Sequence, residues 1–154
     1  MSYDARTNQL NAYRETRVRT AGQGQMIVML YDETIKQLDI AAELLEEKTL
    51  QLDKVHNAIV KAQDCITELT AGLDFEQGGQ VATSLYNLYR YFHRELTEAN
   101  ISKYPDRIRQ VRRLMNELRG AWSQIAAAQS ASGASGYGGS NRKADGGGNI
   151  NFSG

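Results

Sequence analysis

Residues 73–100, LDFEQGGQVATSLYNLYRYFHRELTEAN, decide the fold, because two helical patterns meet there. The adjacent glycines Gly78 and Gly79 are typical of a turn or loop and predict that the chain folds back at this point. From residue 80 onward, apolar residues recur every three or four positions, which places them on one face of a helix. This stripe consists of Val81, Leu85, Leu88, Phe92, Leu96 and Ala99. The sequence therefore predicts a helix over residues 80–100 that opens a second helical hairpin.

Three further segments have the same periodicity. The first spans residues 25–47, and its stripe is Ile27, Leu30, Tyr31, Ile35, Leu38, Ala42 and Leu45. The second follows a break near Thr49, and its stripe is Leu52, Val55, Ile59, Ala62, Ile66 and Leu69. The last begins at Pro105, and its stripe is Ile108, Val111, Met115, Leu118, Trp122 and Ile125. Because short connections join antiparallel neighbours, we predict an all-α, up-down-up-down four-helix bundle.

Two segments lie outside the predicted bundle, which covers residues 24–129. Residues 1–23 are polar and arginine-rich and are predicted to form a mobile N-terminal arm. Residues 130–154 contain 8 glycines and 5 serines among 25 residues, a composition that predicts a flexible tail.

Charge is distributed unevenly along the chain. Residues 1–75 carry 8 Lys/Arg and 12 Asp/Glu, a net charge of −4, and residues 76–154 carry 10 and 6, a net charge of +4. The two halves are therefore expected to attract each other. The arginines of the last helix are interpreted as a solvated face paired with the acidic first hairpin, and we expect no nucleic-acid binding.

Composition also bears on location and chemistry. The chain has no run of about 18 apolar residues and no apolar segment of a secretory signal, so we expect no membrane insertion and a cytoplasmic location. Cys65 lies among helical apolar positions and is expected to be a small buried residue.

No catalytic or cofactor-binding motif is recognisable in the chain. Asp53 and His56 have the carboxylate-x-x-histidine spacing of di-iron bundles. The second motif that such a site requires is missing, because Arg90 precedes His93 where an acid is needed. We therefore expect no enzyme, no cofactor and no metal site.

Some apolar residues remain once each helix has contributed one stripe to the core. On the first helix they are Met26, Met29, Ile40 and Leu44, and on the third Tyr86 and Tyr89 form a row with His93. Each of them alone is most simply a half-exposed packing position. Together, rows rich in Met and Tyr also suit grooves that bind an apolar face of a partner helix. The pattern leaves both interpretations open.

Three stretches, in their order and spacing, are more specific than the periodicity. They are Ala12-Tyr13 to Val18-x-Thr20-Ala21 with Met29-Leu30-Tyr31-Asp32; Lys61-Ala62-Gln63-Asp64 with Glu68-Leu69; and Leu73-Asp74-Phe75-Glu76-Gln77-Gly78-Gly79 with Leu85-Tyr86, Leu88-Tyr89, Tyr91 and Leu96-x-x-Ala99-Asn100. Together they resemble the FliS-type flagellin export chaperones of bacteria. The resemblance covers most of residues 10–125.

The resemblance implies a cytoplasmic bundle that binds the disordered C-terminal segment of flagellin and prevents its premature polymerisation. It also implies delivery of flagellin to the flagellar type III export apparatus, with export gate components as further partners. In such proteins the N-terminal arm covers part of the binding surface, which would make Leu10 and Tyr13 a detachable lid. The candidate client-binding residues are Leu10, Tyr13, Met26, Met29, Ile40, Leu44, Tyr86 and Tyr89. A structural or adaptor bundle that binds another flagellar or regulatory protein through the basic last helix is the alternative.

The chain departs from the family pattern before the first helix. The family commonly has Thr-Ala-Ser-Pro there, whereas Thr20-Ala21 is followed here by Gly22-Gln23-Gly24. Without the capping serine, the helix start is expected to lose about 1 kcal/mol, and the hinge of the arm is expected to be looser.

Overall fold

The computed structural model describes residues 23–136, which form four α-helices. They are α1 (Gln23–Glu46), α2 (Leu52–Ala71), α3 (Phe75–Ser102) and α4 (Pro105–Gly136). The helix α4 continues past the predicted boundary at Gln129, so the predicted tail starts inside a helix and only residues 137–154 lie outside the described part. The lid residues Leu10 and Tyr13 also lie outside it.

Side-chain contacts between α1 and α4 show that these helices are antiparallel. The ion pairs are Asp32 with Arg119 at 2.7 Å, Asp39 with Arg112 at 3.1 Å, and Glu46 with Arg109 at 2.5 Å. The partner's number on α4 falls as the residue number on α1 rises, so the two chains run in opposite directions. These pairs also confirm that the basic last helix faces the acidic first hairpin.

A second ladder of contacts joins α2 and α3 in the same manner. Its hydrogen bonds are His56 with Asn100 at 2.8 Å, Gln63 with Thr97 at 3.1 Å, and Thr67 with His93 at 3.3 Å. The principal contacts follow the ring α1, α2, α3, α4 and back to α1. This arrangement confirms the predicted all-α, up-down-up-down four-helix bundle.

The core stripe of α3 differs from the predicted one. Its buried residues are Ala82, Leu85, Tyr89, Phe92, Leu96 and Ala99. Val81 is 46% exposed, so its assignment to the core is wrong, and the same holds for Leu52 on α2, which is 45% exposed. The tyrosine Tyr89 takes the core position that the prediction gave to Leu88.

The turn between α2 and α3 lies before the two glycines. Residues 72–74 make the turn, and the Asp74 side chain caps α3 by accepting hydrogen bonds from the backbone N–H groups of Glu76 and Gln77 at 3.0 and 3.1 Å. Gly79 then kinks the helix with φ +49° and ψ −122°, a conformation that favours glycine. The glycine pair is therefore a kink inside α3 and does not form the predicted turn.

The buried thiol of Cys65 confirms the prediction made for that residue. Its side chain lies in α2 and the residue is 2% exposed. Burial raises the pKa of the Cys65 thiol to about 12, so the thiol is protonated at neutral pH. No helix within residues 23–136 is both long and apolar enough to cross a membrane.

Candidate client-binding surface

The apolar row on α1 forms two patches. At 100° per residue, its members fall within an arc of about 60° and so share one face of the helix. Met26 and Met29 are half-buried near the start of α1, Ile40 is 37% exposed, and Leu44 packs against the core nearer the end of the helix. Met26 and Met29 form one patch, and Ile40 and Leu44 form the other. The polar residues Glu33 and Gln37, which hydrogen bond to each other at 2.9 Å, lie between the two patches. The two patches are about 16 Å apart along the helix.

The Met29 patch forms one wall of an open groove between α1 and α4, which we call the α1/α4 groove. The groove has a volume of about 310 Å³. Its lining residues are Gln25, Val28, Met29 and Asp32 from α1, with Ser123, Ala126 and Ala127 from α4. Short side chains on α4 leave the space, and Val28 and Met29 give it an apolar wall. The groove can therefore hold a bulky apolar side chain of a partner.

Tyr86 lies on the surface at the same end of the bundle, close to the start of α3. It is 36% exposed, and its ring packs against that of Phe75 in a T-shaped arrangement with centroids 5.8 Å apart. The Arg90 guanidinium lies over the Tyr86 ring, 5.9 Å from its centroid. Phe75 is itself 50% exposed, so an aromatic surface with a fixed geometry is open to solvent.

Tyr89 is placed differently from Tyr86, and the prediction that it has no role in the core is wrong. It is 1% exposed, and its hydroxyl lies 2.6 Å from the hydroxyl of Tyr31, a residue with no exposed surface. Burial raises the pKa of Tyr89 to about 12 and raises that of Tyr31 further. Trp122 also hydrogen bonds to Tyr31, so this contact joins α1, α3 and α4 inside the core. Tyr89 has no surface available to a client in this conformation.

Two exposed apolar residues at this end, Phe75 and Val81, were absent from the predicted site. Phe75 falls in the segment predicted to be a loop, and Val81 was assigned to the core. A third group of large apolar residues lies at the opposite end, near the α1–α2 and α3–α4 connections: Leu50, Leu52, Ile101 and Tyr104. The exposed apolar surface is thus concentrated at the two ends of the bundle.

The two histidines of the chain lie in the seam between α2 and α3. His56 Nδ1 is 2.8 Å from the Asn100 amide, and His93 Nε2 is 3.3 Å from the Thr67 hydroxyl. Among residues 23–136, no three His, Cys, Asp or Glu side chains are grouped as metal ligands would be. Each histidine instead has a polar partner on the neighbouring helix and so links α2 to α3.

The seam is expected to weaken at acidic pH through His93. Partial burial lowers the pKa of His93 below its usual value of 6.5, against a smaller raising effect of Asp64. His93 in the unfolded chain then takes up a proton at a higher pH than His93 in the folded chain. The contribution of His93 to the free energy of unfolding is therefore complete above about pH 6.5 and falls as the pH drops towards the pKa of the folded state.

The test is urea unfolding at closely spaced pH values from neutral to mildly acidic. His93→Gln should flatten the decline in the free energy of unfolding below pH 6.5. His56→Gln serves as the control and should keep the decline. An unchanged pH dependence in His93→Gln would contradict this role.

Known proteins similar to this chain agree with the resemblance noted in the sequence. The model of the FliS family, described as flagellar protein FliS, matches residues 6–129. The flagellar secretion chaperone FliS of Salmonella typhimurium is 37% identical over 112 residues, covering 72% of this chain and 82% of that protein. The FliS of Bacillus subtilis is 29% identical over 117 residues, covering 76% and 85%. The FliSB of Pseudomonas aeruginosa is 31% identical over 111 residues, covering 72% and 86%. Because the family match spans most of its length, this chain belongs to the FliS family.

Proposed function

We propose that this protein is a cytoplasmic export chaperone that binds the C-terminal segment of flagellin. Bound flagellin would be kept from premature polymerisation and delivered to the flagellar type III export apparatus. The observation that carries the proposal is that one end of a FliS-family bundle exposes two apolar patches, the Met29 groove between α1 and α4 and the pair of Tyr86 with Phe75 on α3. The similarity to relatives named flagellar secretion chaperones also supports the proposed chaperone function. We propose no catalytic activity.

The physical basis is coupled folding and binding. A disordered segment that forms helices on a partner gains free energy by burying its apolar side chains and loses free energy by becoming ordered. The half-buried Met29 and the exposed Tyr86 offer such apolar area without being needed to fill the core. Methionine adapts its shape to a partner, and tyrosine supplies a large contact area with few rotatable bonds. Binding of this kind is strong enough to hold a client and still permits its release.

The proposed client surface has a primary and a secondary part. The primary part consists of two separate patches at the same end of the bundle, Met26 and Met29 on α1 and Tyr86 on α3. Ile40 and Leu44 form a second patch that a long client segment would reach further along α1. Leu10 and Tyr13 stay proposed as the lid that the client displaces. Tyr89 would act from within the core, by positioning α3 beneath Tyr86.

The alternative adaptor function relied on a free basic face of the last helix. Arg109 and Arg112 both pair with Asp39, and Arg119 pairs with Asp32. Arg107 pairs with Glu95 on α3. Since these charges are already matched within the chain, we favour the apolar surface as the binding site.

The proposal is tested by titrating the purified protein with full-length flagellin and with flagellin that lacks its C-terminal segment. We expect removal of the segment to weaken binding at least about 30-fold, or ~2 kcal/mol. Two exposed tyrosines provide a matched pair of variants, since Tyr86→Ala should weaken binding and Tyr104→Ala, at the opposite end and 70% exposed, should not. Equal affinity for both forms of flagellin would contradict the proposal.

A further inference from the structure

The α1/α4 groove lies close to the point where the described chain leaves the bundle. Asp32 of α1 pairs with Arg119 of α4, so in this antiparallel register the start of α1 lies beside residues near Ala127. The helix α4 then continues from Ala127 to Gly136. This continuation corresponds to about 14 Å at a rise of 1.5 Å per residue. Gly136, the last described residue, therefore lies about 14 Å along α4 from the groove.

The sequence that follows α4 has an anchor-like pair of apolar residues after a spacer. Between residues 138 and 149 it contains five glycines and no large apolar residue, a composition typical of flexible linkers. Ile150 and Phe152 come next, two positions apart. The family match ends at residue 129, so this segment lies outside what the family model describes.

The spacer is long enough for this pair to reach back to the groove. A glycine-rich linker of the length between Gly136 and Ile150 has a root-mean-square span of about 20 Å. That distance is similar to the ~14 Å that separates Gly136 from Ala127 along α4. A ligand tethered by a short flexible linker has an effective concentration of about 1 mM, which is sufficient for a weak contact to be occupied.

The groove suits an apolar side chain of this size. Its volume of about 310 Å³ is at the lower end of the range found for sites that hold small ligands. Met29 supplies an adaptable wall, and Ala126 and Ala127 supply a flat one.

We propose that the segment around Ile150 and Phe152 docks in the α1/α4 groove of its own chain. The docked segment covers the Met29 patch. Together with the proposed function, on which this consequence rests, docking makes the segment an internal competitor of the flagellin client. The client then binds this protein more weakly than it binds the same bundle without the apolar pair.

The docking test uses methionine methyl NMR on the full chain, which contains four methionines. Met29 lines the groove, whereas Met115 has no exposed surface and reports on the core alone. We expect the double variant Ile150→Ala/Phe152→Ala to shift the Met29 signal and to leave the Met115 signal unchanged. Tyr137→Ala, which alters an apolar residue before the spacer, is the control and should leave both signals unchanged.

Three results would overturn the docking proposal. One is an unchanged Met29 signal in the double variant. Another is a change at Met26 without one at Met29, which would place the segment elsewhere on α1. The third is that deletion of residues 1–20 shifts the Met29 signal while the double variant does not, which would make the N-terminal arm the occupant.

A second measurement separates docking from competition. Isothermal titration of flagellin into the full chain and into Ile150→Ala/Phe152→Ala should show about tenfold tighter binding to the double variant, because a competitor at ~1 mM effective concentration is removed. If Met29 shifts and flagellin does not bind either protein, the proposed function fails and docking stands. If flagellin binds both proteins equally and Met29 is unchanged, docking fails and the proposed function stands.

Discussion

Tyr89→Ala is expected to lower the free energy of unfolding by about 3–5 kcal/mol, the range for removing a large aromatic side chain from a packed core. Tyr89 is 1% exposed, its ring lies 6.4 Å from that of Phe92, and its hydroxyl bonds to Tyr31. The substitution leaves a cavity between α1 and α3 and removes one of the partners of a buried hydroxyl. Urea unfolding followed by helical circular dichroism measures the loss.

Tyr86→Ala is the matched comparison three positions earlier on the same helix. Tyr86 is 36% exposed, and its ring contacts Phe75 and Arg90. We expect a loss of stability below about 1 kcal/mol, as is usual for surface positions. Flagellin affinity should nevertheless fall about tenfold, because an aromatic contact of the proposed client surface is lost. Similar destabilisation by both alanine variants would mean that Tyr86 belongs to the core.

Tyr89→Phe separates the ring from the hydroxyl. The phenyl ring still fills the core, and the Tyr31 hydroxyl keeps its hydrogen bond with Trp122. We therefore expect a cost of about 1 kcal/mol, the usual net value of one hydrogen bond. A cost close to that of Tyr89→Ala would show that the hydroxyl pair, rather than the ring, holds α1 and α3 together.

The choice between these tyrosines shows how far the sequence determines the core. The observed stripe of α3 advances by steps of three and four in strict alternation from Ala82 to Ala99. The predicted stripe began at Val81 and included Leu88, so it left out Ala82 and Tyr89. Strict alternation was already visible in the predicted stripes of α2 and α4. The regular alternation of steps was therefore a better predictor of the core positions of α3 than the hydrophobicity of single residues, because the position of a residue around the helix decides whether it faces the neighbouring helices.

The turn before α3 gives a similar lesson for local signals. A glycine pair is a common mark of a loop, but Asp74 is also a favourable capping residue and stands just before a long helical pattern. The cap satisfies backbone N–H groups and starts the helix, and Gly79 then absorbs a kink. The number of helices and their order could be predicted, because they depend on patterns that extend over many residues.

The candidate surface was only partly predictable for a different reason. The sequence identified Met29 and Tyr86 as apolar residues without a core position, and their exposure agrees with that interpretation. It could not show that the space beside Met29 is open, because this depends on Ala126 and Ala127 of another helix. Exposure at a helix edge is set by the neighbouring helix, which one helix's periodicity does not describe.

Met29→Lys is expected to weaken flagellin binding by at least about 30-fold, or ~2 kcal/mol, because binding would enclose a charge in an apolar groove. The fold should tolerate the change, since Met29 is only half-buried and the new ammonium group can reach solvent near Asp32, one helical turn away. Calorimetric titration measures the affinity, and thermal unfolding checks the fold. Met29→Leu is the control for shape and should stay within about threefold of the parent affinity.

Met29→Glu tests whether the effect arises from burial of charge in the groove or from long-range attraction. A desolvated charge of either sign is unfavourable there, so the lysine and glutamate variants should both bind flagellin weakly at low and at high salt. Long-range attraction would instead weaken one variant, strengthen the other and fade as salt is added. Parent-like affinity in both charged variants would exclude the α1/α4 groove from the client-binding surface and leave the aromatic surface at Tyr86 and Phe75 as the remaining candidate at this end of the bundle.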